Sequence, residues 1–194
     1  MSIVKQITKE LKKNIDPTYN VQQFFKQPIP AHGVRTPIIR KVAKDFYPKE
    51  KSKQEIFNLA EELCKTNNNE EKVIAFEWIY KQKKNFEKSD FKFFEHILKK
   101  YINNWGLCDT FAPSTLNEMI SKFPELIPKT QKWTKSKNKY VRRAACVVHL
   151  KDFSGRKPNQ SKLEEIFHVC NILKFDKEDI VQKGYGWLLK NTSK

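Results

Sequence analysis

Trp105 and Asp109 stand four residues apart in the segment Asn103-Asn104-Trp105-Gly106-Leu107-Cys108-Asp109-Thr110-Phe111. On a helix, that spacing stacks the two side chains on one face. An aromatic plate beside a carboxylate can cradle a cation, by attraction to the ring face and by charge. Each residue also has an ordinary reading. A Trp fills cores, and an Asp near a helix start complements the helix dipole. A second segment, Asn138-Lys139-Tyr140-Val141-Arg142-Arg143-Ala144-Ala145, places Arg143 34 residues after Asp109. That is about one step of a helical-pair repeat, so the two residues could meet on neighbouring helices. Adjacent arginines diverge by about 100° on a helix, so Arg142 and Arg143 serve different partners. One can grip a phosphate while the other pairs with an acid, or both can be solvated or salt-bridged. A third group is scattered: Phe24, Arg35, Lys151, Trp187 and Lys190. Basic and aromatic residues of this kind suit a surface that grips phosphates and packs on sugars, although each also fits plain packing or surface.

Other chemistries find little footing. The chain has no Gly-rich phosphate loop and no HExxH. His32, His96, His149 and His168 are widely separated. Cys64, Cys108, Cys146 and Cys170 form no CxxC and no Cys/His cluster at metal-ligand spacing. Each lies in an apolar helical stretch and reads as a reduced core thiol of a cytosolic protein. No metal site is expected. A signal peptide is not expected, and the sequence has no apolar run long enough to span a membrane.

These residues need a scaffold, and the pattern calls for an all-α one. Apolar positions recur at i, i+3, i+4 and i+7, as in Ile56, Leu59, Ala60 and Leu63. Ser52-Lys53-Gln54-Glu55 before them reads as a capping box. Thr36-Pro37 reads as a second start, with Thr36 as N-cap and Pro37 first in the helix. Asn69, Ser89 and Asn138 are further N-cap candidates. Strand alternation and hairpin dipeptides are absent. Ten or eleven helices are expected, with Lys65–Asn69 and Ser154–Asn159 as the clearest loops. Three segments resemble one another: Lys72–Ile79, Arg142–His149 and Gln182–Leu189. Each opens polar or basic, passes through small residues and turns apolar. The steps of roughly 35 and 40 residues suit stacked helix pairs, which would align the basic openings on one curved face. A helical bundle with a coincidental motif is the alternative.

Charge narrows the partner. Lys+Arg is 38 against 22 Asp+Glu, a formal net charge of +16. Such an excess repels itself and suits a polyanion, with nucleic acid first and an anionic membrane second. A merely Lys-rich soluble surface gives the same count.

Taken in order, Trp105-x-x-x-Asp109, Val141-Arg142-Arg143-Ala144-Ala145 and Gly186-Trp187 resemble the DNA alkylation repair enzymes, the AlkD-like glycosylases. The resemblance runs from about Phe24 to the end of the chain. It takes in Gly33-Val34-Arg35-Thr36-Pro37-x-x-Arg40 and Phe123-Pro124-Glu125-Leu126-Ile127. It implies one domain over residues 1–194, an α-solenoid of HEAT-like antiparallel helix pairs with a basic concave face. It implies excision of cationic N3- or N7-alkylated purines from duplex DNA, without a cofactor. Asp109 matches the family's catalytic Asp, Trp105 its stacking Trp, Arg143 its Arg and Trp187 its second concave-face Trp. Phe24, Arg35, Arg142, Lys151 and Lys190 are then further DNA contacts. A cytoplasmic, nucleoid-associated monomer without an obligate protein partner or membrane is the expected setting. The alternatives are a non-catalytic helical-repeat protein that binds bent or branched DNA, and a protein-interaction scaffold. Gly106 stands where the family commonly has a polar residue, and Arg35 where it often has Gln. Members usually continue for another helical pair, so the chain reads as short at its C-terminal end.

Overall fold

The computed structural model describes residues 1–150 and 159–193. They are helical throughout, and no strand occurs among them. The chain forms two compact units, Met1–Phe86 and Glu87–Lys194.

The first unit holds α1 (Ile3–Lys13), α2 (Thr36–Asp45), α3 (Lys53–Lys65) and α4 (Asn69–Lys81). Ile56, Ala60 and Leu63 put one stripe of α3 into the core, as their spacing requires. The reciprocal Ser52–Glu55 capping box forms, and a bond from Lys51, then two from Ser52, hold the exposed Glu55 carboxyl down to about 2. Asn68, not Asn69, caps α4, accepting from the N–H groups of Glu70 and Glu71. The two asparagines are chemically equivalent. The chain turns through Asn67 at φ 62°, which leaves Asn68 extended at the capping position. Thr36 is already helical, with Arg35 at the N-cap position and no side-chain capping bond. Pro37 still sits in the first turn, where its missing N–H costs nothing. At the start of the second unit, Ser89 lies in a short 3₁₀ turn, Lys88–Asp90, closed by Glu87 and Asp90.

α4 is the central element of this unit and is buried on most sides. Trp78 donates its indole N–H to the carbonyl of Ala43 on α2 at 2.7 Å. At the other end of α4, buried Glu70 accepts the backbone N–H groups of His32, Gly33 and Val34 at 3.0, 2.8 and 3.2 Å. Gly33 is at φ +85°, a region other residues avoid. The Gly33–Pro37 segment is therefore shaped by a glycine and held by a carboxylate 36–38 residues away. Replacing Glu70 by alanine strands three donors. With partial rehydration, a loss of about 3 kcal/mol is expected in urea unfolding. A loss below about 1 kcal/mol would show that Glu70 does not hold this segment.

The second unit contains α5 (Phe91–Tyr101), α6 (Trp105–Phe111), α7 (Asn117–Lys122), α8 (Ile127–Gln131), α9 (Lys139–Val147), α10 (Gln160–Leu173) and α11 (Asp179–Thr192). Asn138 caps α9, as its position foretold. Asn159 caps α10 through the N–H of Lys162, at 2.9 Å. The rest of the expected 154–159 loop lies outside the described residues. α9 is central here. α6, α10 and α11 all pack on it, and Val141, Ala144, Ala145 and Val148 supply its apolar stripe. The repeat relation between Arg142–His149 and Gln182–Leu189 is thus realised as neighbouring helices. Gly184 is the small residue that admits the contact: a Cβ there would meet Arg143 Cγ at 3.2 Å.

α6 runs into α7 through a π-helical turn, Ala112–Leu116. Pro113 explains it. Proline has no N–H to give the carbonyl four residues back, which is that of Asp109. The turn widens, and the N–H of Asn117 reaches the carbonyl of Ala112.

Candidate nucleic-acid site

The second unit brings the expected triad together. Asn104, buried, caps α6 by accepting from the N–H of Leu107 at 2.9 Å. That cap starts the helix despite Gly106 and puts Trp105 at its first position, 37% exposed. Leu107, Cys108 and Phe111 anchor the opposite face in the core. Asp109 is the fifth residue of α6, beyond the first turn, so complementing the helix dipole is not its main role.

Arg143 reaches Asp109 from α9 with two parallel hydrogen bonds: Nε to Oδ1 at 2.8 Å and Nη2 to Oδ2 at 2.7 Å. Its Nη1 donates to the carbonyl of Ile180 on α11. The Arg143 side chain is 7% exposed and that of Asp109 15%. Burial works against the guanidinium charge, but the hydrogen bonds and charge of Asp109 outweigh it and hold the Arg143 pKa above its usual value. Three of the five N–H groups of Arg143 are spoken for, which leaves two for a further acceptor.

Arg142 diverges to the other side of α9, as a 100° step requires. It makes its own bidentate contact with Asp176, at 2.5 and 3.0 Å. It also donates to the carbonyls of Ser136 and Lys137. Both arginines therefore pair with acids.

Trp187 (41% exposed) and Lys190 lie on α11, three residues apart on one side of the helix. Phe24 and Arg35 belong to the first unit. Phe24 is 52% exposed and packs beside Tyr19. Arg35 lies over the Tyr19 ring and bonds Asp16, whose carboxyl is held down to about 2 by Thr18 and then by Arg35. Lys151 lies outside the described residues.

Sequence reading missed Asp176, the Ile180 carbonyl and Gly184. Asp176 had a usable signal: it follows Arg142 by 34 residues, the same step that separates Asp109 from Arg143. A backbone acceptor leaves no such trace.

Each unit also carries a basic groove. In the second, Lys99, Lys129, Lys132 and Lys135 line a groove of about 410 Å³ against one acid, Glu95. In the first, Arg40, Lys44, Lys81 and Lys83 line one of about 350 Å³ against Glu77. All four cysteines are buried free thiols, and burial pushes the Cys64 thiol up to about 12. Among the described residues, no group of His, Cys, Asp and Glu could hold a metal ion. No described helix is long and apolar enough to cross a membrane.

The fold is that of a structure described as a predicted DNA alkylation repair enzyme from Enterococcus faecalis. The two superpose with a TM-score of 0.77 at 16% identity, over 93% of this chain and 84% of that one. No curated protein matches the chain. The profile of the DNA alkylation repair enzymes matches residues 7–194, which takes in every residue of the site just described. The chain belongs to the DNA alkylation repair enzyme family.

Proposed function

We propose that this chain is a DNA glycosylase. It hydrolyses the N-glycosidic bond of cationic N3- and N7-alkylated purines in duplex DNA. The observation that carries the reading is the Asp109 carboxylate, fixed by Arg143 and set one helical turn from the exposed ring of Trp105.

An alkylpurine that carries a positive charge is already a good leaving group and needs no general acid. The bond between C1′ and the base nitrogen breaks, and the electron pair leaves with the base. Positive charge then develops on the deoxyribose, and water adds to C1′ and loses a proton. A carboxylate about 4 Å from that charge, at an effective dielectric near 20, supplies roughly 4 kcal/mol, or about a thousandfold in rate. Asp109 is the residue for this, and it can also orient the water. Its carboxylate needs no reorganisation, because Arg143 already holds both oxygens. Trp105 packs on the sugar and adds cation–π attraction. The two spare N–H groups of Arg143 suit a phosphate beside the lesion.

Phe24, Arg35, Lys151, Trp187 and Lys190 are assigned to the DNA surface, with the two basic grooves as further phosphate contacts. The protein acts as a monomer on DNA in the cytoplasm, at the nucleoid. Binding to methylated duplex should weaken steeply with salt, with a slope of log affinity on log salt of about −4 to −6. A slope near zero would point to a protein partner. Under single-turnover conditions, the wild-type protein should release 3-methyladenine or 7-methylguanine from methylated duplex. Tight binding to branched DNA with no release would favour a non-catalytic DNA-binding role.

A further inference from the structure

The Arg142–Asp176 pair lies next to the site and takes no part in the chemistry above. Its side chains are 16% and 8% exposed. Asp176 sits in the corner between α10 and α11. Its Oδ1 also accepts the N–H of Glu178 at 2.9 Å, and its carbonyl accepts from Gln182 at 2.7 Å. From the first turn of α9, Lys139 adds an ion pair to Glu178 at 3.1 Å. Two basic residues of α9 thus hold two acids of one corner.

That corner leads directly into the part of α11 that touches Arg143. Four residues after Asp176, the Ile180 carbonyl accepts from Arg143 Nη1. One turn further, Gly184 lies so close to Arg143 that a Cβ would fall 3.2 Å from its Cγ. Trp187 follows three residues later on the same helix. Arg143 is therefore held from two sides, by Asp109 on α6 and by the backbone of α11. The placement of α11 against α9 therefore bears directly on the orientation of Arg143.

We infer that Asp176 is a positioning residue for the candidate site: through Arg142 it seats α11, and so aligns Arg143, Asp109 and Trp187. Arg142 acts as an internal strut and not as a phosphate ligand. A surface ion pair would contribute little, but this one is nearly buried, bidentate and linked to two further backbone contacts of Arg142. The activity readout of this inference rests on the glycosylase reading. The structural readout does not.

The test uses the full chain with Asp176→Asn. Single-turnover release of methylated purine should fall about ten- to a hundredfold, as expected for a site displaced by about 1 Å. Affinity for methylated duplex should change less than about threefold, since a strut contributes no counterion release. Asp176→Glu should restore most of the rate. Independently of activity, the Arg143 Nε–H signal in ¹H–¹⁵N spectra, assigned by its loss in Arg143→Lys, should shift in Asp176→Asn. A purely stabilising pair would lower the melting temperature and leave both the rate and that signal unchanged, which overturns the inference. Should Asp176→Asn fail to fold, Arg142→Lys keeps the charge without the fork and is read in the same way. If the wild type releases no base, the glycosylase reading fails, and the Arg143 signal alone decides the positioning role.

Discussion

Asp109→Asn should slow base release by about a hundred- to a thousandfold. The full electrostatic effect of a nearby carboxylate on a sugar cation would be the upper figure. Arg143 offsets part of it, because its guanidinium lies against the same two oxygens. Substrate binding should hardly change, since DNA affinity comes from phosphate contacts and Asp109 makes none of them. The loss should therefore appear in the chemical step, as expected when an interaction made only in the transition state is removed. The same substitution also touches stability. Asparagine keeps one oxygen for Arg143 but not the charge, and Arg143 is 7% exposed. The Ile180 carbonyl remains as an acceptor, so a cost of about 2 kcal/mol is expected, below that of a fully orphaned buried charge. Equal rates for the two proteins would remove Asp109 from the mechanism.

The second large effect is predicted for Arg143. Arg143→Ala leaves the mostly buried Asp109 carboxylate and the Ile180 carbonyl without their donor, and opens a gap beside Gly184. The expected cost is about 3–5 kcal/mol. At roughly 2–4 °C per kcal/mol for a chain of this size, the melting temperature should fall by about 10 °C. Base release should disappear with it. A paired substitution separates the two consequences. Asp109→Leu with Arg143→Met replaces the ion pair by apolar side chains of similar volume, which is often neutral or stabilising in a buried site. The double variant should melt near the wild type and remain inactive. A double variant as unstable as Arg143→Ala would mean that the destabilisation comes from the Ile180 carbonyl, left without its donor in both variants, and not from the orphaned charge.

Both predictions depend on how α6 is built. Asn104 starts it, Leu107, Cys108 and Phe111 anchor it, and Pro113 ends its regular part four residues after Asp109. The carboxylate is thus carried on a short, capped and anchored segment. Such segments position a side chain better than a loop does.

Much of this was legible from spacing alone. The four-residue step from Trp105 to Asp109 and the 34-residue step to Arg143 correctly placed two facing helices, because helical repeats convert sequence distance into spatial register. The Ser52 box and the Asn138 cap were also legible, since capping is a local affair of one side chain and nearby N–H groups. The start of α4 was displaced by one residue because Asn67, Asn68 and Asn69 are locally interchangeable. Only the tertiary path of the loop selects among them. Arg142 was assigned to phosphate because an exposed and a paired arginine look identical in sequence. Its partner Asp176 lies in the corner between α10 and α11, and the 34-residue step from Arg142 was its sequence signal. The role of Glu70 was hidden for a related reason. A carboxylate that binds three distant backbone N–H groups has no side-chain counterpart to signal it.

The central claim is cleavage of the C1′–N bond by water, at a site built on Asp109. Its most direct test follows the products from a duplex with a single 7-methylguanine, incubated with the wild-type protein in H₂¹⁸O and analysed by mass spectrometry. The account predicts free 7-methylguanine without ¹⁸O and an equal amount of abasic strand. The label enters at C1′ and is read after trapping by reduction, and Asp109→Asn forms both products about a hundred- to a thousandfold more slowly. Recovery of an intact strand bearing unmethylated guanine, or of 7-methylguanine still in the DNA after complete binding, would contradict it.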